Sequence, residues 1–430
     1  MDPITVLVVT FIVFLLIGVP VAVSIGLSAV LSMAVANFPA SYLVQTAYSA
    51  VDEFTIIAVP MFILAGVLME KGGLTERLID FSRALVGPAP GGLATVTIVA
   101  CTFFAAISGS GPATTAAIGS IMIPAMVRDG YGRDFSAAIS SSAGGIGVVI
   151  PPSIPMIIYG ITAETSISGL FLAGVIPGLL LAFALWMVSA FISKRRGWVS
   201  HSTVSRSLRG IGGAAWQAKW ALLAPVIILG GIYGGVFTVT EASVVAVVYA
   251  LLTGVVLFRQ ITFPVFFDAM VYTVRITGTV LLVLVTGRIV GRLLSINQVP
   301  QTVSAYLLES VSSPVVLVLL ILLLLIFIGM WMETLTQIII LTPLLLPVVM
   351  GLGMHPIQFG IVFVIACEIG YSTPPLGVNL FVAAEIGDTT MERISKASIP
   401  FLAAETTVMA LVAFVPELSL WLPRLLGFVN

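Results

Sequence analysis

The chain has 430 residues, of which 59% are hydrophobic and only 9% are charged, and its mean hydropathy is +1.18. Soluble proteins carry about 25% charged residues, so 18 basic and 19 acidic side chains cannot cover a soluble fold of this length. The net charge of −1 provides no basic face for nucleic acid. The two cysteines, Cys101 and Cys367, lie in apolar tracts and form neither a disulfide framework nor a metal site.

Continuously apolar tracts follow one another along the whole chain. Runs such as 315–328 lack the alternation typical of transmembrane β-strands. The first tract has neither a basic leader nor a small-residue cleavage site, which argues against a signal peptide. We predict an all-α polytopic membrane protein with about 10–12 spanning helices. The tracts lie at roughly 4–19, 21–36, 52–70, 91–107, 113–127, 135–160, 168–192, 219–236, 241–258, 269–294, 315–329, 335–351, 357–383 and 397–424.

The distribution of lysine and arginine orients the chain, because cytoplasmic loops hold the excess of positive charge. The longest polar stretch carries six of the 18 basic residues, namely Lys194, Arg195, Arg196, Arg206, Arg209 and Lys219. If 91–127 and 315–351 are re-entrant hairpins, only Arg288, Arg292 and Arg424 face the outside. We therefore predict that residues 194–218 form a cytoplasmic connector between two halves, 1–193 and 219–430.

The two halves carry the same signature. Residues 146–152 read I-G-x-x-x-P-P, and residues 369–375 read the same. A polar, glycine-containing interruption precedes each signature, at 108–115 and at 329–336. Because five crossings per half is an odd number, we predict two inverted repeats. Each repeat contains a re-entrant helical hairpin, at about 91–127 and about 315–351, and a broken helix, at about 135–160 and about 357–383.

The paired prolines predict a transport site. Proline removes a backbone donor and frees upstream carbonyls, and such backbone survives in a membrane only where it lines a polar cavity or meets an ion. Free carbonyls and hydroxyls suit a hard cation, whereas the N-terminus of the opposing half-helix suits an anion. A single proline would more often be a simple kink. Matched breaks in inverted repeats instead indicate a binding site near the membrane midplane.

Three acidic residues are predicted to lie at membrane depth, where ionisable groups are functional by default. Glu333 lies at the second hairpin tip, Glu368 precedes the second break, and Glu405 belongs to the last helix. Glu333 could instead cap a half-helix, and we leave the roles of all three open. Arg288 and Arg292 are one turn apart and are interpreted as the outer end of a helix, with substrate contact as the alternative.

These motifs together resemble the large membrane subunit of the TRAP (tripartite ATP-independent periplasmic) transporters, over nearly the whole chain. The resemblance rests on the S-G-S-G-P-A-T-T run at 108–115, on G-G-I-G at 144–147 leading to I-P-P-S at 150–153, on P-M-F-I-L-A-G at 60–66, and on T-P-P-L-G at 373–377. It implies a sodium-driven secondary transporter of the bacterial inner membrane. Such proteins take up small organic acids, including C4-dicarboxylates, sialic acid and sugar acids, by an elevator mechanism.

The same resemblance implies partners. A periplasmic binding protein would deliver the substrate, and a small four-helix membrane subunit would pack beside this chain in the bilayer. No four-helix stretch precedes Ile4, so that subunit is expected to be a separate chain.

The resemblance also implies site residues. One sodium ion would lie between the first tip and the first break, at Ser108, Ser110, Gly111, Gly147, Ile150 and Ser153. A second would lie between the second tip and the second break, at Gly329, Thr334, Gly370, Thr373 and Leu376. The substrate would lie between the tips, near Thr114, Thr115, Ser153 or Thr336.

Three alternatives compete with this interpretation. A sodium-coupled carboxylate carrier that works without a binding protein would show the same architecture. An intramembrane enzyme would need a nucleophile or a metal set, but His201 and His355 are remote from each other and have no partner in the sequence. A channel is the third alternative, and paired hairpins in inverted halves favour alternating access over it.

Overall fold

The computed structural model describes residues 2–87, 91–198, 208–311 and 313–429, and every regular element in these ranges is a helix. The all-α architecture predicted from the sequence is therefore confirmed. The first half contains α1 (Pro3–Leu16), α2 (Val21–Val35), α3 (Ala40–Val51), α4 (Ala58–Lys71), α5 (Leu74–Val86), α6 (Gly92–Ser108), α7 (Gly111–Arg128), α8 (Arg133–Val149), α9 (Ile154–Thr162) and α10 (Ile167–Arg196).

The second half contains α11 (Leu208–Tyr233), α12 (Val239–Leu251), α13 (Phe263–Ile296), α14 (Val299–Ser310), α15 (Pro314–Gly329), α16 (Thr334–Gly351), α17 (Pro356–Tyr371), α18 (Val378–Gly387), α19 (Met391–Phe414) and α20 (Glu417–Leu425). A 3-10 segment, Phe54–Ile57, precedes α4, and a π-helical segment, Leu252–Leu257, follows α12. The predicted connector overlaps the ends of α10 and α11, and its residues His201 and Arg206 lie outside the described residues.

Seven of the described helices are long and apolar enough to cross a membrane, or up to eight if α8 and α9 count as one bent span. Glycines and prolines divide other apolar tracts of the chain into shorter helices. Six further apolar helices have 10–17 residues: α1, α2, α6, α15, α17 and α18. The chain also bends at Gly18, where φ is +82°, so the apolar tracts 4–19 and 21–36 form two separate helices, α1 and α2.

The two broken helices occupy the centre of the molecule. Every residue from Phe135 to Val149 in α8 and from Ile357 to Tyr371 in α17 is buried. A helix that is buried on all sides belongs to the interior of a large protein. Small residues make this packing close, because α8 contains four serines and three glycines between Ser136 and Gly147. The hairpins α6–α7 and α15–α16 pack around this pair of helices.

The helix boundaries follow the repeat seen in the sequence. The helix α7 begins at Gly111 and α16 at Thr334, whereas α8 begins at Arg133 and α17 at Pro356, and both pairs of starts are 223 positions apart. The residues before the two hairpin helices, Ser110 and Glu333, both accept a hydrogen bond at the helix N-terminus through their side chains. Both Pro-Pro peptide bonds, at 151–152 and 374–375, are cis. Each repeat thus places a hairpin tip and a helix break at equivalent positions.

Candidate functional site

The first hairpin tip is a compact polar turn. The helix α6 ends at Ser108, Gly109 adopts a left-handed conformation with φ +60°, and Ser110 caps α7. The Ser108 and Thr114 hydroxyl oxygens are 2.6 Å apart, and the Thr114 hydroxyl donates to the Ser110 carbonyl at 2.8 Å. The tip therefore concentrates hydroxyl and carbonyl oxygens at the start of α7.

The first break lies directly against this tip. The helices α8 and α9 meet at an angle of 44°, and the Ile154 N–H donates to the Gly109 carbonyl at 3.4 Å. A Cβ atom on Gly147 would stand 2.4 Å from the Thr114 hydroxyl oxygen and 2.9 Å from the Ser110 carbonyl oxygen. Only glycine fits at this contact. The structure thus brings the predicted residues of the first sodium site together.

The second tip and the second break repeat the arrangement. A Cβ atom on Gly370 would stand 2.5 Å from the Gly329 carbonyl carbon, so these two backbones touch. The Leu376 N–H donates to the Met330 carbonyl at 3.2 Å, and the Thr334 N–H donates to the Tyr371 hydroxyl at 3.1 Å. The predicted residues of the second sodium site therefore also lie along one contact between a hairpin tip and a helix break.

Each contact contains a buried hydroxyl without a hydrogen-bond partner among the described residues. These are the Ser153 hydroxyl, in a residue 1% exposed, and the Thr334 hydroxyl, in a residue 3% exposed. An unpaired buried hydroxyl is costly and calls for a partner. Because the tips supply hydroxyl and carbonyl oxygens, a hard cation such as Na⁺ is a suitable partner. The residues present therefore fit the predicted ion.

Thr373 has a different environment, because its hydroxyl donates to the Ile369 carbonyl at 2.6 Å. That hydrogen bond uses the proton and leaves the oxygen lone pairs of Thr373 free for an ion. Ile150 and Leu376 can contribute only backbone carbonyls.

The predicted substrate residues are spread over several environments. Thr114 is engaged in the first tip, and Thr336 donates through its backbone N–H to Glu333 at 3.0 Å. The Thr115 hydroxyl is buried against Gly144 and has no partner in the described part of the chain. None of the four lines the cavity of about 400 Å³ beside the first tip. That cavity is lined by Ser108, Ser110, Pro112, Ala113, Glu70, Lys71 and Tyr272, among others.

A second cavity, of about 620 Å³, is lined by two arginines near the end of α13. Arg288 lies 3.6 Å from a carboxylate oxygen of Glu53 and 3.8 Å from one of Glu164. Arg292 donates to the Tyr42 hydroxyl at 2.8 Å. The cavity extends to Pro343 on α16. Both arginines lie inside α13, which continues to Ile296 and has no basic residue in its last turn, so the predicted helix-end position is not observed. They instead line a space that an anion could enter.

The three acids at depth have distinct partners. Glu333 caps α16, which was one of the two interpretations left open above. Glu368 Oε2 accepts from Asn379 Nδ2 at 3.1 Å. Glu405 shares with Glu368 and Ser142 a cavity of about 10 Å³, which is close to the space that one water molecule needs. Glu333, Glu368 and Glu405 could be identified from the sequence, because an acidic residue within an apolar tract is rare. Asn379 could not, because nothing in the sequence distinguished it from other polar residues.

Comparison with known proteins identifies the family. Residues 8–418 match the family described as the tripartite ATP-independent periplasmic transporter, DctM component. The isethionate TRAP transporter permease protein DctMQ of Oleidesulfovibrio alaskensis is 44% identical over 98% of this chain, which spans 66% of that protein's length. The C4-dicarboxylate TRAP transporter large permease protein DctM of Pseudomonas aeruginosa is 39% identical, over 87% of this chain and 88% of that protein.

The sialic acid TRAP transporter large permease protein SiaM of Vibrio cholerae is 38% identical, over 96% of both chains. Among solved structures, the YdaH transporter of Alcanivorax borkumensis superposes with a TM-score of 0.66 at 16% identity, over 91% of this chain and 90% of that chain. At this identity the likeness concerns the fold alone. The relatives are named as transporter permeases rather than enzymes, in agreement with the prediction. The chain therefore belongs to the DctM-component family of TRAP transporters and is a polytopic protein of the bacterial inner membrane.

Proposed function

We propose that this chain couples the uptake of a small organic acid anion to the inward movement of Na⁺. The observation that carries the proposal is the pair of equivalent contacts between a hairpin tip and a helix break, each with one free buried hydroxyl, on Ser153 and on Thr334. Two oxygen-lined sites in matched halves are the arrangement expected for coupling ions in a secondary transporter.

An organic acid anion is the substrate class that the chemistry favours. The relatives are named for isethionate, C4-dicarboxylates, sialic acid and 2,3-diketo-L-gulonate, all small organic anions. The arginines of the 620 Å³ cavity attract an anion, and the N-terminus of α7 can stabilise one. The choice among these acids depends on a few side chains and on the binding protein.

The packing supports an elevator movement. A small core formed by α1, α2 and the end of α13 is distinct from the large core that contains both hairpins and both broken helices, and Ile340 and Leu344 of the second hairpin pack against the small core. Two bodies with separate cores can slide past each other without either one unfolding. We therefore assign α1 and α2 to the static scaffold and the two tip–break units to the moving domain.

The proposal includes two partners, a small four-helix membrane subunit as a separate chain and a periplasmic binding protein. Uptake in proteoliposomes tests it, with all three proteins present and radiolabelled isethionate, succinate and sialic acid as substrates. We expect uptake of at least one acid that needs both an inward sodium gradient and the binding protein. Sodium-driven uptake without the binding protein would instead identify a stand-alone carboxylate carrier. Uptake that is indifferent to sodium would contradict the coupling.

A further inference from the structure

A large groove lies at the cytoplasmic ends of α8, α10 and α19, away from the transport site. Its volume is about 1110 Å³. It lies on the cytoplasmic side because its walls carry part of the excess positive charge that orients the chain. Four basic side chains line it: Arg195, Arg196, Arg393 and Lys396.

The groove has a surplus of positive charge. Asp134 is the one carboxylate in its described lining, and Glu392 pairs with Lys396 at 2.6 Å just outside it. In the described part of the chain, no carboxylate lies within 4.0 Å of the guanidinium groups of Arg195, Arg196 or Arg393. At least two positive charges therefore have no paired carboxylate among the described residues and are available to an anionic ligand.

An exposed apolar stripe on α10 leads from the membrane into this groove. Leu179, Phe183, Met187 and Phe191 are spaced four residues apart and are 48–67% exposed. Arg195 continues the same spacing, so the five side chains form one continuous row that winds obliquely around the helix, and Met187, Phe191 and Arg195 of this row line the groove. The apolar part spans about 18 Å along the axis, close to the depth of one leaflet of a hydrocarbon core about 30 Å thick.

The floor of the groove is rigid. Trp198 packs on Tyr131 and Phe135 with ring centroids 5.1 and 4.8 Å apart, respectively. Its carbonyl accepts from the Gly91 N–H at 3.2 Å, directly before the first hairpin. An aromatic residue at the interface beside basic residues is typical of a position where lipid headgroups meet protein. The groove is thus preformed rather than assembled by flexible side chains.

We propose that this groove binds an anionic phospholipid of the inner leaflet. The arginines contact the phosphate and its headgroup, and one acyl chain lies along the stripe of α10. Basic pockets between helices on the cytoplasmic side bind anionic headgroups, and the apolar stripe that ends at Arg195 favours a lipid over a free anion. The inference does not depend on sodium coupling or on the transported acid.

Titration of the delipidated full chain with dioleoylphosphatidylglycerol, followed by native mass spectrometry, tests the proposal. Dioleoylphosphatidylcholine serves as the neutral lipid with the same chains. We expect retention of phosphatidylglycerol by the wild type and about 25-fold weaker binding by the R195Q/R393Q variant. This corresponds to about fivefold, or about 1 kcal/mol, for each removed charge.

The K194Q/R209Q variant is the matched control, because it removes the same charge from exposed residues outside the groove lining. We expect it to bind phosphatidylglycerol as the wild type does. Equal weakening in both double variants would show only a diffuse attraction to positive charge and would overturn the proposal. Unchanged binding by R195Q/R393Q would also overturn it.

Competition with inorganic phosphate and with glycerol phosphate distinguishes a binding site for a phospholipid from one for a soluble anion. We expect neither to displace phosphatidylglycerol at millimolar concentration, because neither occupies the stripe. Displacement at concentrations equal to that of the lipid would overturn the assignment to a phospholipid.

Discussion

The carboxylate of Glu368, in the second repeat, lies against Gly111, the first residue of α7 in the first repeat. A Cβ atom on Gly111 would stand 2.6 Å from Glu368 Oε2, and Asn379 holds that oxygen through a hydrogen bond of 3.1 Å. The N-terminus of α7 therefore faces a buried carboxyl group of the other repeat. The two repeats are joined beside the first hairpin tip by this polar contact as well as by packing.

Gly111→Ala should disrupt that contact. The added methyl group must displace Glu368 or the start of α7, and overpacking of this kind costs about 1–3 kcal/mol. We expect uptake in proteoliposomes to fall about tenfold or more, with the protein still folded by size-exclusion chromatography. Gly278→Ala is the control, since nothing lies within 4 Å of a Cβ atom at that exposed position. Wild-type uptake by the Gly111 variant would show that the contact is not needed for transport.

Gly370→Ala should separate the second tip from the second break. Its Cβ atom would meet the Gly329 backbone at 2.5 Å, and a backbone atom cannot move aside as a flexible side chain can. We expect a lower melting temperature in detergent and a smaller stabilisation by sodium chloride, relative to potassium chloride, than in the wild type, because only the first tip–break contact remains intact. Gly230→Ala, with open space around its Cβ atom among the described residues, should keep the wild-type melting temperature and the wild-type sodium stabilisation. An unchanged sodium stabilisation in the Gly370 variant would contradict this prediction.

Removal of the two free hydroxyls should weaken sodium binding without destabilising the protein. A hydrogen bond or ligand contact to a charged group contributes about 1.5–3 kcal/mol, so Ser153→Ala or Thr334→Val should raise the half-saturating sodium concentration about 10- to 100-fold. Without sodium, neither variant should have a lower melting temperature than the wild type, because no hydrogen bond to the described residues is lost. Ser189→Ala removes an equally buried, unpaired hydroxyl on α10 and should leave the sodium dependence unchanged. The same shift in the Ser189 variant would refute the assignment.

His355 should make stability depend on pH. Its Nδ1 atom accepts from the Ile357 N–H at 3.1 Å at the start of α17. Burial and the nearby Arg424 charge lower the pKa of His355 below its ordinary value of 6.5. As pH falls through 6.5, the unfolded chain takes up the proton first, so folding becomes less favourable. We expect a lower melting temperature at pH 5.5 than at pH 7.5.

His355→Asn should reduce this pH dependence, because asparagine caps a helix without titrating. The measurement is the difference between the two melting temperatures in the variant and in the wild type. An equal difference in both proteins would assign the pH dependence to other groups.

Much of the site was predictable because its components act locally. The pairs Pro151-Pro152 and Pro374-Pro375 each remove two neighbouring backbone donors and interrupt a helix, and Gly147 precedes the first break in the same way as Gly370 precedes the second. The tip residues Ser108 and Ser110 stood out as polar groups within apolar sequence. The same local breaks shorten helices that hydropathy alone would join into longer spans.

The apolar length, the scarcity of charge and the matched glycine–proline breaks determined by themselves that this chain is a helical membrane protein with two matching interrupted helices. These properties depend on residues close together along the chain. Only the tertiary structure decided that Glu368 faces Gly111, that Ser153 and Thr334 keep free hydroxyls while Thr114 does not, and that Arg195 and Arg393 line one groove. Contacts such as Glu368–Gly111 join residues from different repeats, and their distances depend on how the whole bundle packs.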